Sequence, residues 1–321
     1  MVNSARLSDR PLVSIVLVTY NQEHFIGDAL DSILSQDYPN FEIIVSDDAS
    51  RDNTAAIVRD YERRHPGKVR LQVHEKNVGL TANALSGIPL VRGKYVVWFA
   101  GDDLFLPGKL TRQVDALQAN PKAIACYHDL DVFDNDSGRT LYRYNDPECG
   151  LEAMTGDGMI DELLRRRCFV GGASVMVDWD RTSDIRHRVE ASRNSDWLYY
   201  IELAQRGEFV YIDEPLVRYR RHTANVTSFT DIDDELNVYA IVEKESPQFR
   251  RSVQLGRARL YLSYVFRYTL AGKIGKAFGS LIALLKLTLP SPRLIPYTFR
   301  ALREMAVQRM HMLRRAGRLQ R

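Results

Sequence analysis

Residues 11–48 read PLVSIVLVTYNQEHFIGDALDSILSQDYPNFEIIVSDD, and this stretch decides the fold class. Its first ten residues are rich in β-branched side chains and short enough for a buried strand. Residues 24–36 carry apolar side chains at helical spacing, and residues 41–50 contain a second apolar run that ends in Asp47 and Asp48. A strand followed by a helix and another strand predicts two parallel strands of one sheet.

The same alternation continues along the chain as far as residue 101. It predicts further strands at 69–75 and 94–101, and helices at 51–66 and 80–91. The chain is therefore predicted to have an α/β fold with a mostly parallel central sheet. Ligands of such sheets collect at the carboxyl ends of the strands, so the polar residues at the four predicted ends indicate a binding site. These residues are Thr19 to Asn21, Asp47 and Asp48, Glu75 to Asn77, and Asp102 and Asp103.

The net charge of the chain is only +3, but it is unevenly distributed. Residues 251–321 carry a net charge of +14 with Glu304 as their single acidic residue, and the other 250 residues carry −11. We therefore expect a globular domain over residues 1–245 and a basic, amphipathic helical tail over residues 246–321.

The tail contains a stripe of large apolar side chains at helical spacing. Basic amphipathic helices of this kind bind anionic membrane surfaces, so we expect membrane contact. The alternative is a helical hairpin packed on the globular domain. A nucleic-acid partner is not expected, because the stripe is aliphatic and lacks interleaved aromatic residues. The stripe comprises Ile274, Phe278, Leu281, Ile282, Leu285 and Leu289.

Two nucleotide-binding signatures do not fit this chain. No GxGxxG sequence follows the first predicted strand, which excludes the usual dinucleotide fingerprint. Residues 87–95, GIPLVRGKY, resemble a P-loop but have five residues between the glycines and Tyr95 in place of Ser or Thr.

Asp102 and Asp103 follow an apolar strand in the stretch YVVWFAGDDLFLP, residues 95–107. Neighbouring carboxylates repel each other, and burial increases the cost of ionising both. One explanation is a turn that caps the following helix. The other is a shared hard cation such as Mg²⁺ or Mn²⁺, which prefers carboxylate oxygens and keeps open positions for water and phosphate.

Three stretches together resemble the inverting family 2 glycosyltransferases with the GT-A fold. They are residues 13–54, 77–114 and 194–228, which occur in family order and with family spacing. The resemblance covers about residues 11–230. It implies a GT-A, Rossmann-like nucleotide-diphospho-sugar transferase fold with a C-terminal helical extension, and residues 1–245 would form the catalytic domain. It also implies metal-dependent transfer of a sugar from a UDP- or dTDP-sugar to a hydroxyl group of a glycan acceptor.

The resemblance assigns roles to individual residues of the four strand ends and of the third stretch. Asp196 would be the general base that deprotonates the acceptor hydroxyl, and its alternative role is a helix N-cap. Asp103 would bind Mg²⁺ or Mn²⁺ directly, and His222 would reach the metal or the diphosphate. The nucleotide-sugar would contact Thr19, Tyr20, Asp48, Asn77, Gly79 and Asp102.

The sequence departs from the family pattern at several of these positions. Ala100 stands where many relatives have a further Asp, and Ser195 stands where many have Glu. No Arg or Lys follows Gly79 closely, so phosphate neutralisation would rest on the cation, on Lys76 or on Arg92. Arg220 and Arg221 are further phosphate contacts implied by the resemblance, and Gly171 and Gly172 would form the floor of the acceptor site.

Two other functions remain open at this point. One is a sugar nucleotidyltransferase, although the chain lacks a Gly-rich loop after the first strand. The other is a non-catalytic module that binds sugar nucleotides. For the transferase, the basic tail suggests an acceptor linked to a polyprenyl diphosphate. The protein would then be cytoplasmic and peripheral on the cytoplasmic face of the plasma (inner) membrane.

Overall fold

The computed structural model describes residues 10–145, 158–222, 232–304 and 306. The chain forms two compact units. The described part of the first unit comprises residues 10–144 and 170–222. The described part of the second comprises residue 145, residues 158–169 and residues 232–306 without 305.

The first unit is built on a nine-stranded sheet with the order β3-β2-β1-β4-β8-β6-β9-β5, and β7 pairs with β6. The strands β3, β2, β1 and β4 are parallel to one another, and β6 is parallel to β9. The predicted mostly parallel α/β sheet is confirmed. The strands are β1 (Val13–Thr19), β2 (Phe41–Asp47), β3 (Val69–Val73), β4 (Tyr95–Ala100), β5 (Leu104–Phe105), β6 (Ala123–Asp134), β7 (Thr140–Arg143), β8 (Met176–Asp178) and β9 (Glu208–Arg221).

Apolar side chains explain why the first strands occupy the middle of the sheet. All seven residues of β2 are buried, as are six of the seven residues of β1. Such strands need a helix on each face of the sheet, which the βα connections supply. The helices of the first unit are α1 (Ile26–Leu34), α2 (Thr54–Arg64), α3 (Leu80–Ser86), α4 (Lys109–Ala119), α6 (Trp179–Thr182) and α7 (Ser195–Ala204).

Strand β9 is one long strand, Glu208–Arg221, with a proline near its middle. The register between β6 and β9 shifts on both sides of Asp129, which lies opposite Pro215. Proline has no N–H to donate to a ladder, so the pairing is interrupted there without ending the strand.

A buried polar cluster lies beside α4. Lys109 is completely buried, and its Nζ donates to Gln113 Oε1 at 2.7 Å and lies 2.8 Å from His128 Nε2. His128 Nδ1 lies 2.7 Å from the carbonyl oxygen of Asp129, so it carries the ring proton and Nε2 accepts from Lys109. Burial lowers the pKa of Lys109 to about 7.

This cluster makes the stability of the protein depend on pH. The unfolded chain keeps the Lys109 proton up to about pH 10, whereas the folded chain releases it near pH 7. The free energy of unfolding should therefore rise by about 2 kcal/mol between pH 7 and pH 9 relative to that of Lys109→Met. Urea denaturation of both proteins at the two pH values measures this difference. Parallel pH dependence in the two proteins would contradict it.

The second unit is helical in its described part. Its helices are α5 (Met159–Arg166), α8 (Ile232–Glu245), α9 (Arg250–Leu270) and α10 (Ile274–Thr288), followed by a helical stretch at 295–304. None of the helices within the described ranges combines the length and hydrophobicity needed to cross a bilayer.

A buried ion pair joins α8 to the residues around α5. Glu235 is buried and accepts from Arg167 Nη2 at 2.6 Å and from the Tyr264 hydroxyl at 3.1 Å. The Tyr239 hydroxyl donates to the carbonyl oxygen of Leu164 at 2.8 Å. These contacts explain why the second unit includes α8 and residues 158–169, whereas the sequence analysis placed the domain boundary after residue 245.

Candidate active site

The parallel register of β1, β2 and β4 brings three polar loops to one edge of the sheet. Thr19 lies opposite Asp47, and Val18 lies opposite Ala100. The chain after β4 turns close against β1, because the N–H of Gly101 donates to Val18 O at 2.9 Å. A Cβ on residue 101 would lie 2.6 Å from Gln22 Oε1 and 2.9 Å from Ile26 Cδ1.

Gly101 was missed by the sequence analysis. Only the spacing of β1, α1 and β4 in the folded chain shows that no side chain fits easily there. The same region contains two buried polar atoms, Thr19 Oγ1 and Gln22 Oε1, that have no hydrogen-bond partner among the described residues. Buried polar atoms of native proteins are nearly always hydrogen-bonded, so these two are suited to a bound polar ligand or water.

A cavity of about 450 Å³ lies at the ends of β1, β2 and β3. Tyr20 is 42% exposed at its rim, so it is not part of the buried core. An exposed aromatic face beside an open cavity is suited to stacking on a planar ring. The cavity is lined by Tyr20, Ala49, Ser50, Arg51, Val73, His74, Glu75, Lys76 and Asn77.

Asp48 is buried next to this cavity and holds the loop before α3. Its Oδ1 accepts the N–H of Val78 at 2.6 Å, and its Oδ2 accepts the N–H of Gly79 at 2.9 Å. Asn77 Nδ2 lies 3.4 Å from the carbonyl oxygen of Asp48. Asp48 thus joins the ends of β2 and β3, and the predicted residues Asp48, Asn77 and Gly79 lie together.

Arg92 lies elsewhere, so its predicted role as a phosphate contact is wrong. Its Nε donates to Glu42 Oε2 at 2.9 Å, and Glu42 also accepts from the Ser14 hydroxyl at 2.6 Å. Arg92 comes before β4, and Glu42 and Ser14 lie near the starts of β2 and β1. These residues are therefore at the amino edge of the parallel strands, opposite the predicted site. Lys76, the other predicted residue, lines the cavity.

Asp102 and Asp103 are both buried in the turn between β4 and β5. Helix α4 begins later, with Gly108 at its N-cap position, so the alternative in which the Asp pair caps this helix is wrong. Burial and the neighbouring Asp102 carboxylate raise the pKa of Asp103 well above its usual value. Two ionised carboxylates are thus disfavoured at this position unless positive charge is supplied.

The end of β9 supplies part of the contacts to this pair. The N–H of Arg220 donates to Asp103 Oδ1 at 2.8 Å, and Arg220 Nε donates to the carbonyl oxygen of Asp102 at 2.7 Å. His222 Nε2 donates to Asp102 Oδ2 at 2.9 Å, and its ring centroid lies 4.9 Å from that of Phe25. The predicted residues Asp102, Asp103 and His222 are therefore brought together, and Arg220 positions the turn that carries the two carboxylates.

The residues present fit a divalent cation that is only partly coordinated by protein. Asp102 and Asp103 provide hard oxygen ligands, and a cation between them would offset the like-charge repulsion that contributes to the raised pKa of Asp103. In the described part of the chain, no group of three or more His, Cys, Asp or Glu side chains could hold a metal by itself. Diphosphate oxygens and water would have to complete the coordination shell, as is usual for Mg²⁺.

Asp196 lies in the first turn of α7, where Asn194 occupies the N-cap position. Its Oδ1 accepts the N–H of Trp197 at 2.8 Å, and burial raises its pKa to about 6. A Cβ on Gly172 would lie 3.5 Å from Asp196 Oδ2, so the glycine turn faces this carboxylate. The Ser195 hydroxyl lies 3.2 Å from the Thr81 hydroxyl, which places the start of α7 beside the start of α3.

Residues 14–167 match the protein family described as Glycosyl transferase family 2. An uncharacterized protein of Mycobacterium tuberculosis is 31% identical over 224 residues, which are 68% of this chain and 62% of the relative. The chain thus spans less than two thirds of that relative. The putative teichuronic acid biosynthesis glycosyltransferase TuaG of Bacillus subtilis is 26% identical over 220 residues, 68% of this chain and 82% of TuaG.

Two solved structures share the fold. TarS 1–349 of S. aureus in complex with UDP-GlcNAc matches with a TM-score of 0.58 and 15% identity, covering 83% of this chain and 89% of that one. The mannosyltransferase PcManGT from Pyrobaculum calidifontis, in complex with GDP-Man and Mn²⁺, matches with a TM-score of 0.61 and 18% identity, covering 96% and 88%. Residues 14–167 belong to glycosyl transferase family 2, and the chain has the GT-A fold.

Gly79 provides a test of the loop that Asp48 holds. Its φ of +88° and ψ of 158° are nearly exclusive to glycine, and no atom would touch an added Cβ. Gly79→Ala should therefore lower the free energy of unfolding by about 1–3 kcal/mol through backbone strain. It should also weaken UDP binding, measured by calorimetry, because the N–H bonded to Asp48 shifts.

Gly67→Ala is the matched control. Gly67 has a φ of +78° and equally open surroundings, but it lies in the loop before β3, at the amino edge of the parallel strands. This variant should lose stability and retain UDP affinity. Equal losses of affinity in both variants would show that strain alone, and not the Asp48 loop, controls UDP binding.

Proposed function

We propose that the protein is a metal-dependent, inverting glycosyltransferase that moves a sugar from a UDP- or dTDP-sugar to a hydroxyl group of a glycan acceptor. The observation that carries the proposal is the placement of the Asp102–Asp103 pair at the same sheet edge as Asp48 and Tyr20. Family membership and the nucleotide-sugar complexes of TarS and PcManGT support it.

The donor would be held by the loops that follow β1, β2, β3 and β4. Tyr20 would stack on the pyrimidine, and Asp48 would accept from its ring N–H while keeping the bonds to Val78 and Gly79. Asn77 and Gly79 would line the donor beside them. Thr19 Oγ1, unpartnered among the described residues, is suited to a further polar contact with the donor.

The leaving group would be stabilised at the Asp102–Asp103 turn. Asp103 would bind Mg²⁺ or Mn²⁺ directly, with Asp102 near the ribose and the metal water, and His222 would reach the metal or the diphosphate. When bound, the cation neutralises the diphosphate and acts as a Lewis acid. The GT-A glycosyltransferases are generally dependent on a divalent metal, and PcManGT was solved with Mn²⁺.

The acceptor would be activated by Asp196. An inverting transfer needs a base on the side of the sugar opposite the leaving group, and this base must be ionised at working pH. A pKa of about 6 keeps Asp196 mostly ionised at pH 7 while making it more basic than an exposed carboxylate. The Gly171–Gly172 turn, which approaches its Oδ2, would leave space for the acceptor hydroxyl.

The acceptor is proposed to be a lipid-linked glycan, such as a polyprenyl-diphosphate-linked saccharide of a surface polysaccharide. TuaG, named for teichuronic acid biosynthesis, supports the polysaccharide class. Residues 1–245 would act as the catalytic domain, and the basic residues of 246–321 would hold the protein on the cytoplasmic face of the plasma membrane.

Calorimetry of UDP binding with Mn²⁺, and again with EDTA, tests the donor site. Asp103→Asn should abolish the part of the affinity that depends on Mn²⁺, because it removes an anionic ligand of the metal. Asp178→Asn is the control, since Asp178 is also a buried carboxylate with a raised pKa but pairs with Tyr95 at the opposite end of β4. If Asp103→Asn binds UDP in the presence of Mn²⁺ as tightly as Asp178→Asn and the wild type do, Asp103 is not a ligand of the metal.

The pH dependence of donor turnover tests the base. kcat/KM should rise with pH through about 6 and then level off, because Asp196 acts only after losing its proton. Asp196→Asn should lower kcat on the order of 10²–10⁴-fold with unchanged UDP affinity. Asp180→Asn is the control, because Asp180 occupies the same first-turn position of α6 and is exposed. Unchanged turnover in Asp196→Asn would remove this residue as the base.

A further inference from the structure

The large apolar side chains that face solvent are concentrated in the second unit. Among the described residues, 16 large apolar side chains are exposed, and ten of them lie between residues 266 and 299. Single exposed apolar residues are common, but a concentration of this kind marks a binding surface. We name it the apolar surface, and it comprises Phe266, Leu270, Ile274, Phe278, Leu281, Ile282, Leu285, Leu289, Ile295 and Phe299.

Helix α10 forms the centre of this surface and is turned outward. It packs on α9. The side chains that it buries are mostly small or polar, namely Ala277, Ser280, Leu284 and Thr288. The six larger residues of the predicted stripe are 37–67% exposed. A water-soluble helix normally buries its large apolar residues and exposes its small polar ones, and α10 does the opposite.

The charged side chains of the segment that carries the apolar surface are basic. From residue 266 to residue 303 the chain has seven basic residues and no acidic one, and Arg300 pairs with Glu304 just beyond this range. Lys273, Lys276 and Lys286 belong to α10 or its N-cap and are exposed. The Nζ of Lys276 lies 5.6 Å from the ring centroid of Tyr268. A partner that covers this surface must therefore accept large apolar side chains and supply negative charge around them.

We propose that the apolar surface docks on a lipid bilayer that contains anionic headgroups. The acyl boundary would receive the apolar side chains of α10, while headgroup phosphates would contact the lysines. A second copy of this chain fits less well, because a two-fold contact would bring two copies of a basic segment together, and residues 266–303 contain no acidic residue to offset the repulsion. The proposal deepens the proposed function and rests on it for the lipid-linked acceptor.

Docking through α10 would explain how an enzyme without a membrane-spanning helix in its described part reaches a lipid-linked substrate. The helix would lie in the plane of the headgroups, with its apolar face about 5–10 Å deep. An interfacial contact of this kind is reversible and depends on salt, since the lysines act through the surface potential.

Co-sedimentation of the full chain with vesicles tests the proposal. One vesicle type contains equal amounts of phosphatidylcholine and phosphatidylglycerol, and the other contains phosphatidylcholine alone. We expect binding to the first type that weakens with salt. Phe278→Ser/Leu285→Ser should reduce it by about tenfold or more, because two exposed apolar side chains that would enter the bilayer are lost. Lys273→Gln/Lys276→Gln/Lys286→Gln should reduce it by about fivefold per lysine.

Leu141→Ser/Val189→Ser is the matched control, because it removes two exposed apolar side chains from the first unit. It should bind vesicles like the wild-type chain. Equal binding by all variants, or no binding by the wild type, would overturn the proposal. So would a wild-type dimer that Phe278→Ser/Leu285→Ser converts to a monomer in sedimentation velocity without vesicle binding, since the occupant would then be a second copy.

UDP binding separates this proposal from the proposed function. Phe278→Ser/Leu285→Ser should bind UDP with Mn²⁺ as the wild type does, since both residues are exposed in the second unit. Vesicle binding without any binding of UDP or dTDP would leave the docking surface standing and reject the transferase. UDP binding without vesicle binding would reject the docking surface and leave the transferase standing.

Discussion

The repulsion between the buried carboxylates of Asp102 and Asp103 is the constraint on which the site depends. Burial and the Asp102 charge raise the pKa of Asp103 well above its usual value, so the pair is poorly tolerated without positive charge. The hydrogen bonds around the pair offset this repulsion only in part. Arg220 donates its N–H to Asp103 and its Nε to the carbonyl oxygen of Asp102, and His222 donates to the Asp102 carboxylate. A divalent cation would supply the missing positive charge, and diphosphate oxygens would complete the coordination shell of the cation.

The rest of the first unit places other groups within reach of this pair. Parallel pairing of β1 with β2 and β4 aligns the three strand ends, and the close turn at Gly101 keeps the carboxylates beside β1. Strand β9 carries Arg220 to the same edge through its pairing with β5 and β6. The two carboxylates assigned to different roles differ in environment. Burial and the neighbouring Asp102 carboxylate both raise the pKa of Asp103, whereas burial alone raises the pKa of Asp196 to about 6.

Sequence patterns predicted the parts of the fold that depend on local periodicity. The apolar runs of β1 to β4 and the polar residues after them gave the parallel sheet edge and its cluster of side chains. Strand order was beyond this reasoning, because nothing in residues 176–178 indicates that β8 inserts antiparallel between β4 and β6. The lack of space for a side chain at Gly101 was also beyond this reasoning, as was the location of Arg92 at the amino edge of the parallel strands. Both depend on distances between elements that are far apart in the chain. For α10 the stripe was predictable, but whether it faced protein or solvent was not.

We propose that the Asp102–Asp103 turn binds a divalent cation together with a nucleotide diphosphate. Anomalous diffraction at the manganese edge, from crystals grown with MnCl₂ and UDP, tests it most directly. We expect a single strong anomalous peak in contact with the Asp103 carboxylate and an oxygen of the UDP diphosphate. UDP bound at the strand ends with no anomalous peak at Asp103, or with the peak at other side chains, would contradict it.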